Sequence, residues 1–171
     1  MSDPTTSRPS APGAASPDAE QYLTFQLAEQ EYGIDILRVQ EIKGWDKPTR
    51  IPHSPSHVLG VINLRGAVVP VIDLRMRFGL EPSTYGATTV VIVVRIRTDR
   101  GELTAGIVVD AVCEVCNVTQ ADLRPPPEVA GGLEQDFVKG LAMSGERMLI
   151  LLHVDKLISA SLLEGVGAQA A

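Results

Sequence analysis

An internal repeat is the feature that most constrains the fold of this 171-residue chain. Residues 33–42 (GIDILRVQEI) align without a gap on residues 106–115 (GIVVDAVCEV), so that position 33 matches position 106 at an offset of 73 residues. A second match, with small insertions, aligns residues 60–74 with residues 140–157. Because self-similarity at a fixed spacing marks repeated structural units, the sequence predicts two copies of one unit.

Each predicted unit is a series of short strands. Apolar and polar residues alternate over 22–27 and 32–36, and short apolar runs separated by turn residues follow along the rest of the chain. A unit of about 60 to 70 residues with about five strands favours a small closed barrel, because a flat sheet would leave long edges exposed. We therefore expect an all-β fold of two barrels, at about 22–80 and 88–160, packed through an apolar seam.

Few and short helices are expected beside the strands. One is predicted directly after Asp73 and another directly after Asp155, with both carboxylates placed as N-caps. Residues 1–20 are rich in proline, serine and alanine and predict a disordered N-terminal tail. Residues 164–171 are expected to form a flexible C-terminal tail.

Composition argues against several classes of protein. Fifteen Lys and Arg against twenty-one Asp and Glu give a formal net charge of −6, where a nucleic-acid binder is expected to carry a basic face. The longest apolar runs, 90–94 and 148–152, are far shorter than the roughly 20 residues that a membrane-spanning helix needs. Two cysteines fit a reducing compartment better than a disulfide framework.

No group of residues assembles a recognisable reaction. Cys113 and Cys116 have the spacing of a redox or metal pair, but residues three apart on a strand point to opposite faces. His153 lies in an apolar strand and is expected to be a strand residue rather than a general base. The sequence therefore predicts no catalysis, no cofactor and no metal. An enzyme that uses His153 or the cysteines is the alternative, and activity that survives Arg65→Glu but is lost on His153→Ala would support it.

The turn at 63–66 is the best candidate for a docking site. It joins two apolar strands and carries the long cation Arg65, where a simple hairpin needs only Asn-Gly. Gly66 can adopt a positive φ there, and Glu41 is a conceivable ion-pair partner of Arg65. From these residues alone, an ordinary charged turn and a docking role both remain open.

Several motifs together resemble the CheW family, the coupling proteins of bacterial chemotaxis. They are 31–42 (EYGIDILRVQEI), 60–66 (GVINLRG), 69–74 (VPVIDL), 106–110 (GIVVD), 123–125 (LRP) and 147–151 (RMLIL). The resemblance covers about residues 21–163. It implies two SH3-like five-stranded barrels, in agreement with the repeat, and a non-catalytic adaptor.

The resemblance also implies partners and a location. CheW proteins bind the cytoplasmic tips of methyl-accepting chemoreceptors and the regulatory domain of the histidine kinase CheA. They help to join receptors and kinase into arrays at the inner face of the cytoplasmic membrane, so that receptor state controls kinase activity. Other CheW copies are further candidate partners, and the protein is expected to be cytoplasmic.

The family's contact positions can be carried over residue by residue. Its receptor-contact region corresponds here to Val39, Glu41, Gly60, Asn63, Arg65, Gly66, Val112 and Val115. Its kinase contact corresponds to Arg124 and Glu128, and there the chain departs from the family, because Val129 replaces the expected aromatic residue. Besides the enzyme, two further alternatives remain, namely an adaptor of another chemosensory pathway, such as one for twitching motility, and an SH3-like nucleic-acid binder.

Overall fold

The computed structural model of the chain describes residues 19–81, 84–126 and 135–170. The strands are β1 (Ala19–Leu27), β2 (Gln30–Asp35), β3 (Val39–Gly44), β4 (Val58–Leu64), β5 (Ala67–Asp73), β6 (Val90–Thr98), β7 (Gly101–Val109), β8 (Ala111–Thr119), β9 (Leu123–Arg124), β10 (Val138–Ser144) and β11 (Arg147–Leu152). The helices are α1 (Leu74–Arg77), α2 (Val154–Ala170) and the 3-10 turns Ile36–Arg38, Gln120–Asp122 and Gln135–Phe137. This mostly-β architecture with few helices confirms the predicted fold class.

The strands form two sheets. Sheet 1 has the strand order β8-β1-β2-β11-β10-β9, and sheet 2 has the order β3-β6-β7-β5-β4. Neighbouring strands are antiparallel with one exception in each sheet, where β2 pairs in parallel with β11 and β5 pairs in parallel with β7. The two sheets therefore repeat the same pattern, as expected from an internal duplication.

The two repeats exchange their first hairpins. The hairpin β1–β2 pairs with β8 and β11 of the second repeat, while the hairpin β6–β7 pairs with β3 and β5 of the first. Each sheet is thus built from both halves of the chain. The boundaries 22–80 and 88–160 therefore mark the two sequence repeats, whereas each sheet contains strands from both repeats. A repeated sequence does not specify whether a strand pairs within its own copy or with the other copy.

Two glycines at equivalent positions of the repeat lie at the parallel pairs. Gly33 pairs with Leu151, and Gly106 pairs with Val71. A Cβ atom on Gly33 would lie 2.9 Å from Cδ2 of Leu151, and one on Gly106 would lie 2.8 Å from Cγ1 of Val91. The missing side chain of Gly33 therefore makes room for Leu151 of the opposite repeat, and that of Gly106 makes room for Val91 on the neighbouring strand of its own hairpin.

An apolar core fills the space between the two sheets. Phe25 and Ile34 of sheet 1 belong to the same buried cluster as Ile92 and Ile107 of sheet 2. Smaller clusters lie within each sheet, one of them around Leu149 in sheet 1 and a second in sheet 2. The predicted apolar seam is confirmed. Its burial is what fixes one sheet against the other.

The two predicted helix starts have different outcomes. Asp73 caps α1 as predicted, because its Oδ1 accepts a hydrogen bond from the backbone N–H of Arg75 at 2.9 Å. Asp155 is not an N-cap, since α2 begins at Val154 and already contains it. The Asp155 carboxylate instead forms an ion pair with Arg38 at 2.9 Å. A charge partner 117 positions away cannot be read from local helix-start patterns.

The predicted tails overlap partly with the described residues. Residues 1–18 lie outside them, whereas Ala19 and Glu20 begin β1. At the other end, α2 continues to Ala170 and so includes residues 164–170.

Asp110 connects the two sheets at the point where the chain crosses between them. Its Oδ1 accepts a hydrogen bond from Nε of Arg75 at 2.7 Å, and its Oδ2 accepts one from Nη2 of Arg75 at 2.6 Å. The backbone N–H of Ala28, in the β1–β2 turn, also donates to Oδ2 at 2.8 Å. Burial opposes ionisation of Asp110, but these donors outweigh it, and the pKa of the carboxyl lies below its usual value.

Replacement of Asp110 by asparagine is expected to lower the free energy of unfolding by about 2 kcal/mol at pH 7, because a charged acceptor of three hydrogen bonds is lost. The pKa of the Asp110 carboxyl is lower in the folded chain than in the unfolded chain. Its contribution to the free energy of unfolding is therefore complete above the unfolded pKa, near 4, and is lost as the pH falls. Urea unfolding should therefore show the wild-type advantage shrinking between about pH 5 and pH 3. An advantage that is the same at both pH values would contradict this role.

Candidate functional site

The turn between β4 and β5 presents Arg65 to solvent. Arg65 and Gly66 have φ angles of 53° and 89°, which is the two-residue hairpin turn with positive φ at both central positions. The backbone N–H of Gly66 donates to Oδ1 of Asn63 at 2.8 Å. The expected positive φ of Gly66 is confirmed, and Asn63 helps to hold the turn that carries the cation.

Arg65 forms the ion pair with Glu41 that the sequence suggested. Nη2 of Arg65 donates to Oε2 of Glu41, which lies on β3. Because β3 and β4 are the two terminal strands of sheet 2, this contact joins its two edges. The Arg65 side chain is 73% exposed and that of Glu41 is 22% exposed. Exposed pairs contribute only about 0–1 kcal/mol to stability, so the pair orients the cation more than it supports the fold.

Gly60 allows a close backbone contact beside this turn. Its φ is 142°, and a Cβ atom there would lie 2.0 Å from the carbonyl oxygen of Thr49. Thr49 exchanges two backbone hydrogen bonds with Val61, at 2.8 and 2.9 Å. Gly60 is itself buried, so its importance here lies in the path of the backbone.

Three valines extend the predicted site beyond the turn. Val39 on β3 and Val112 on β8 occupy equivalent positions of the repeat, and both are half-buried against the central core. Val115, also on β8, is 48% exposed. Strands β3 and β8 are terminal strands of different sheets. The structure therefore unites Glu41, Asn63, Arg65 and Gly66 on sheet 2, and it places Val112 and Val115 on sheet 1.

Of the two residues predicted to contact the kinase, Arg124 lies in the part of the chain that the structure describes. Arg124 is exposed on β9, the terminal strand of sheet 1, where it pairs with Leu141 of β10. Glu128 and the adjacent Val129 lie outside the described residues.

The cysteines occupy the strand context that the sequence predicted. Both lie on β8 as free thiols, with Cys113 exposed and Cys116 half-buried. Burial, followed by the charge of Glu31, raises the pKa of the Cys113 thiol and so disfavours the nucleophilic thiolate. In the described residues no three His, Cys, Asp or Glu side chains are grouped in a way that could hold a metal ion.

His153 lies between β11 and α2 rather than within a strand. Its backbone N–H donates to the carbonyl of Phe137 at 2.8 Å, and its own carbonyl accepts from Leu157 at 3.0 Å. Burial, followed by the charge of Lys156, lowers the pKa of its imidazole. Its backbone links a 3-10 turn to the start of α2.

Across the described ranges, no helix has the length and apolarity that crossing a membrane requires.

Comparison with known proteins identifies the family. Residues 21–162 match the model of the CheW-like domain. The chain belongs to the CheW-like family. It is 47% identical over 141 residues to the chemotaxis protein CheW of Klebsiella aerogenes, covering 82% of each chain. It is 40% identical over 139 residues to a probable chemotaxis protein CheW of Rhizobium etli, covering 81% of this chain and 87% of that one.

A solved structure supports the same assignment. The crystal structure of the scaffolding protein TtCheW from Thermoanaerobacter tengcongensis superposes with a TM-score of 0.74 at 36% sequence identity, covering 83% of this chain and 89% of that chain. The two sheets are consistent with the two SH3-like subdomains of the CheW fold. CheW-like proteins are non-catalytic chemotaxis adaptors, and the adaptor function predicted from the sequence is confirmed.

Leu37 is an exposed apolar residue that the sequence reasoning missed. It is 87% exposed and lies in the 3-10 turn that leads from β2 of sheet 1 into β3 of sheet 2. Its backbone N–H is held by Oδ1 of Asp35 at 2.9 Å. The sequence contained a signal for this turn. Asp35 is followed by two adjacent apolar residues that break the alternation, and this pattern predicts that Asp35 caps a short helical turn containing Leu37.

Charge reversal at Arg65 is expected to leave the fold intact. Arg147 offers a matched control, since it is 69% exposed and ion-paired with Glu31, whose side chain is 20% exposed. Arg65→Glu and Arg147→Glu should each change the free energy of unfolding by no more than about 1 kcal/mol, as measured by urea titration with circular dichroism. Unfolding of Arg65→Glu alone would show that Arg65 is a structural residue.

Proposed function

We propose that this chain couples methyl-accepting chemoreceptors to the histidine kinase CheA, and that Arg65 is the centre of its receptor contact. The observation that supports this most is a cation held in a defined orientation with most of its surface in water. The 63–66 turn fixes the backbone, and Glu41 fixes the guanidinium. A preorganised arginine loses little freedom on binding, and arginines are frequent among the residues that dominate interfaces.

Exposed apolar side chains in and next to the strand that carries Glu41 favour a helical partner. Leu37 is 87% exposed and Ile42 is 44% exposed, and both lie in or next to β3. An exposed guanidinium and exposed apolar residues on one subdomain suit an amphipathic helix that presents both an acidic residue and an apolar stripe. We infer that the receptor tip supplies this helix, and that Val39 and Val112 extend its apolar contact toward sheet 1.

The proposed kinase contact lies on the other sheet. Arg124 is on β9, at one end of sheet 1, whereas Arg65 is between β4 and β5 of sheet 2. We infer that Arg124, with Glu128, binds the regulatory domain of CheA. Separate surfaces for receptor and kinase would allow both partners to bind one adaptor at the same time, which is the requirement for coupling. The cytoplasmic location of the receptor tips would place the chain at the inner face of the cytoplasmic membrane.

The direct test is CheA autophosphorylation in the presence of receptor-containing membranes. The wild-type chain should raise receptor-controlled activity, and Arg65→Glu should require at least tenfold more protein for the same effect, because an attractive contact becomes repulsive. Arg147→Glu, with the same change of charge, should behave like the wild type.

A charge-swapped variant separates docking from internal structure. Arg65→Glu combined with Glu41→Arg restores an internal ion pair but keeps the reversed charge at position 65. Continued loss of coupling in this variant would support direct contact by Arg65, whereas full recovery would contradict it. Full coupling by Arg65→Glu alone would also contradict the proposal. A response limited to a second receptor and kinase pair from the same cell would assign the chain to another chemosensory pathway.

A further inference from the structure

The crossing turn, Ile36–Arg38, leads from β2 of sheet 1 into β3 of sheet 2 and carries the exposed Leu37. None of its three residues is fully buried, although Ile36 packs in part against the central core. The N–H of Leu37 donates to Asp35 at the start of the turn, and a second backbone bond closes its end. Segments with few buried contacts open at a low cost in free energy, so this turn needs a further restraint to keep one conformation.

The start of α2, by contrast, is fixed on several sides. Its first turns bury three side chains in the central core, those of Val154, Leu157 and Ile158. One turn further on, the buried Ser161 accepts a hydrogen bond from Nε of Arg77 at 2.8 Å. The carbonyl oxygen of Ser161 lies 3.1 Å from Nε2 of His57. Because Arg77 and His57 belong to the first repeat, α2 of the second repeat is held against both halves of the chain.

Asp155 ties the crossing turn to this fixed helix. Its Oδ2 lies 2.9 Å from Nη2 of Arg38, the last residue of the turn, and the two side chains are 32% and 33% exposed. Oδ1 of Asp155 is buried and has no hydrogen-bond partner among the described residues. An unpaired carboxylate in such a position is unfavourable, so Asp155 depends on Arg38 for its compensation. The pair therefore joins a rigid element to a weakly held one.

The position of Arg38 matters because its two neighbours belong to the proposed receptor contact. Leu37 directly precedes it, and Val39 directly follows it at the start of β3. Leu37 is 87% exposed, so burial of its own side chain does not hold it in place. A restraint on Arg38 fixes the backbone on both sides, and a contact that is ordered in advance loses less conformational freedom on binding.

We propose that Asp155 is a positioning residue for the receptor contact: through Arg38 it holds the crossing turn in the conformation that presents Leu37 and Val39. This inference rests on the receptor contact proposed above. Asp155 does not touch the receptor but raises the fraction of chains in which the turn is ordered. A partner that binds only the ordered turn has an apparent affinity reduced by that fraction. Loss of the ion pair therefore weakens receptor binding and leaves CheA binding unchanged.

The first test needs no partner. Amide hydrogen exchange followed by NMR measures how often the backbone hydrogen bonds of Leu37 and Val39 open. In Asp155→Ala and in Arg38→Ala these two amides should exchange about fivefold faster than in the wild type, because the turn has lost its restraint. Lys139→Ala is the matched control, since it breaks an ion pair on sheet 1 in which the lysine side chain is 28% exposed. It should leave both amides unchanged.

The second test is a double-mutant cycle on binding of the receptor's cytoplasmic tip. Asp155→Ala and Arg38→Ala should each raise the Kd about fivefold, and the double variant should raise it no further, because both changes remove one interaction. Arg38→Lys keeps the charge and should bind the receptor like the wild type. The Kd for the regulatory domain of CheA should be the same in every variant, which a general loss of structure would not give.

Three results would overturn the inference. The first is unchanged exchange of both amides in Asp155→Ala. The second is weaker receptor binding by Arg38→Ala alone, which would make Arg38 a direct contact. The third is an equal loss of receptor and CheA binding. A wild-type chain that does not bind the receptor tip would instead overturn the proposed function, and the exchange comparison would still decide whether Asp155 holds the turn. Circular dichroism shows which variants are folded, and Asp155→Asn replaces Asp155→Ala if the alanine variant is not.

Discussion

Four strand pairs, the parallel pairs β2–β11 and β5–β7 and the antiparallel pairs β1–β8 and β3–β6, hold the two halves of this chain in one structure. Each pair joins a strand of the first repeat to a strand of the second. Because the pairs lie within different sheets, neither sheet can form from one half of the sequence. The central core then buries the faces that the two sheets turn toward each other, and its members come from both repeats. The exchange of hairpins is therefore the constraint on which the rest of the architecture depends.

The proposed receptor contact is a consequence of that exchange. The chain must leave sheet 1 after β2 and enter sheet 2 at β3, and the crossing turn exposes Leu37, two residues before Val39. The same exchange makes β3 a terminal strand, so that Glu41 can reach across to Arg65 at the opposite edge of the sheet. In the second repeat the equivalent crossing occurs at Asp110, where a half-buried, hydrogen-bonded carboxylate takes the place of an exposed leucine. The repeats share a fold but differ in surface chemistry, which fits the proposal of separate receptor and kinase contacts.

Sequence patterns predicted the local features of this structure well. Period-two alternation located the strands, and the 63–66 pattern predicted the hairpin turn, because both depend on nearby residues. Glu41 was named only as a conceivable ion-pair partner of Arg65, since the two residues are distant in sequence. The exchange itself was not predicted, since two copies of a unit can pair within or between copies with similar local patterns. Asp155 was misplaced as a cap because its partner Arg38 lies far away in sequence. The receptor-contact role of Val39, Glu41 and Val112 was inferred from the family resemblance. Residue patterns alone do not distinguish a valine that contacts a partner from a valine in the core.

Fragment complementation tests the central claim of hairpin exchange most directly. The chain is divided between residues 86 and 87, before β6, and each fragment is produced alone. The account predicts that neither fragment shows a cooperative unfolding transition by circular dichroism. The first fragment lacks β6–β11 and the second lacks β1–β5, so both sheets are incomplete in each fragment. An equimolar mixture should recover the β-sheet spectrum and a single cooperative transition. Cooperative unfolding of residues 1–86 alone, with no change on mixing, would show that each repeat closes on itself and would contradict the account.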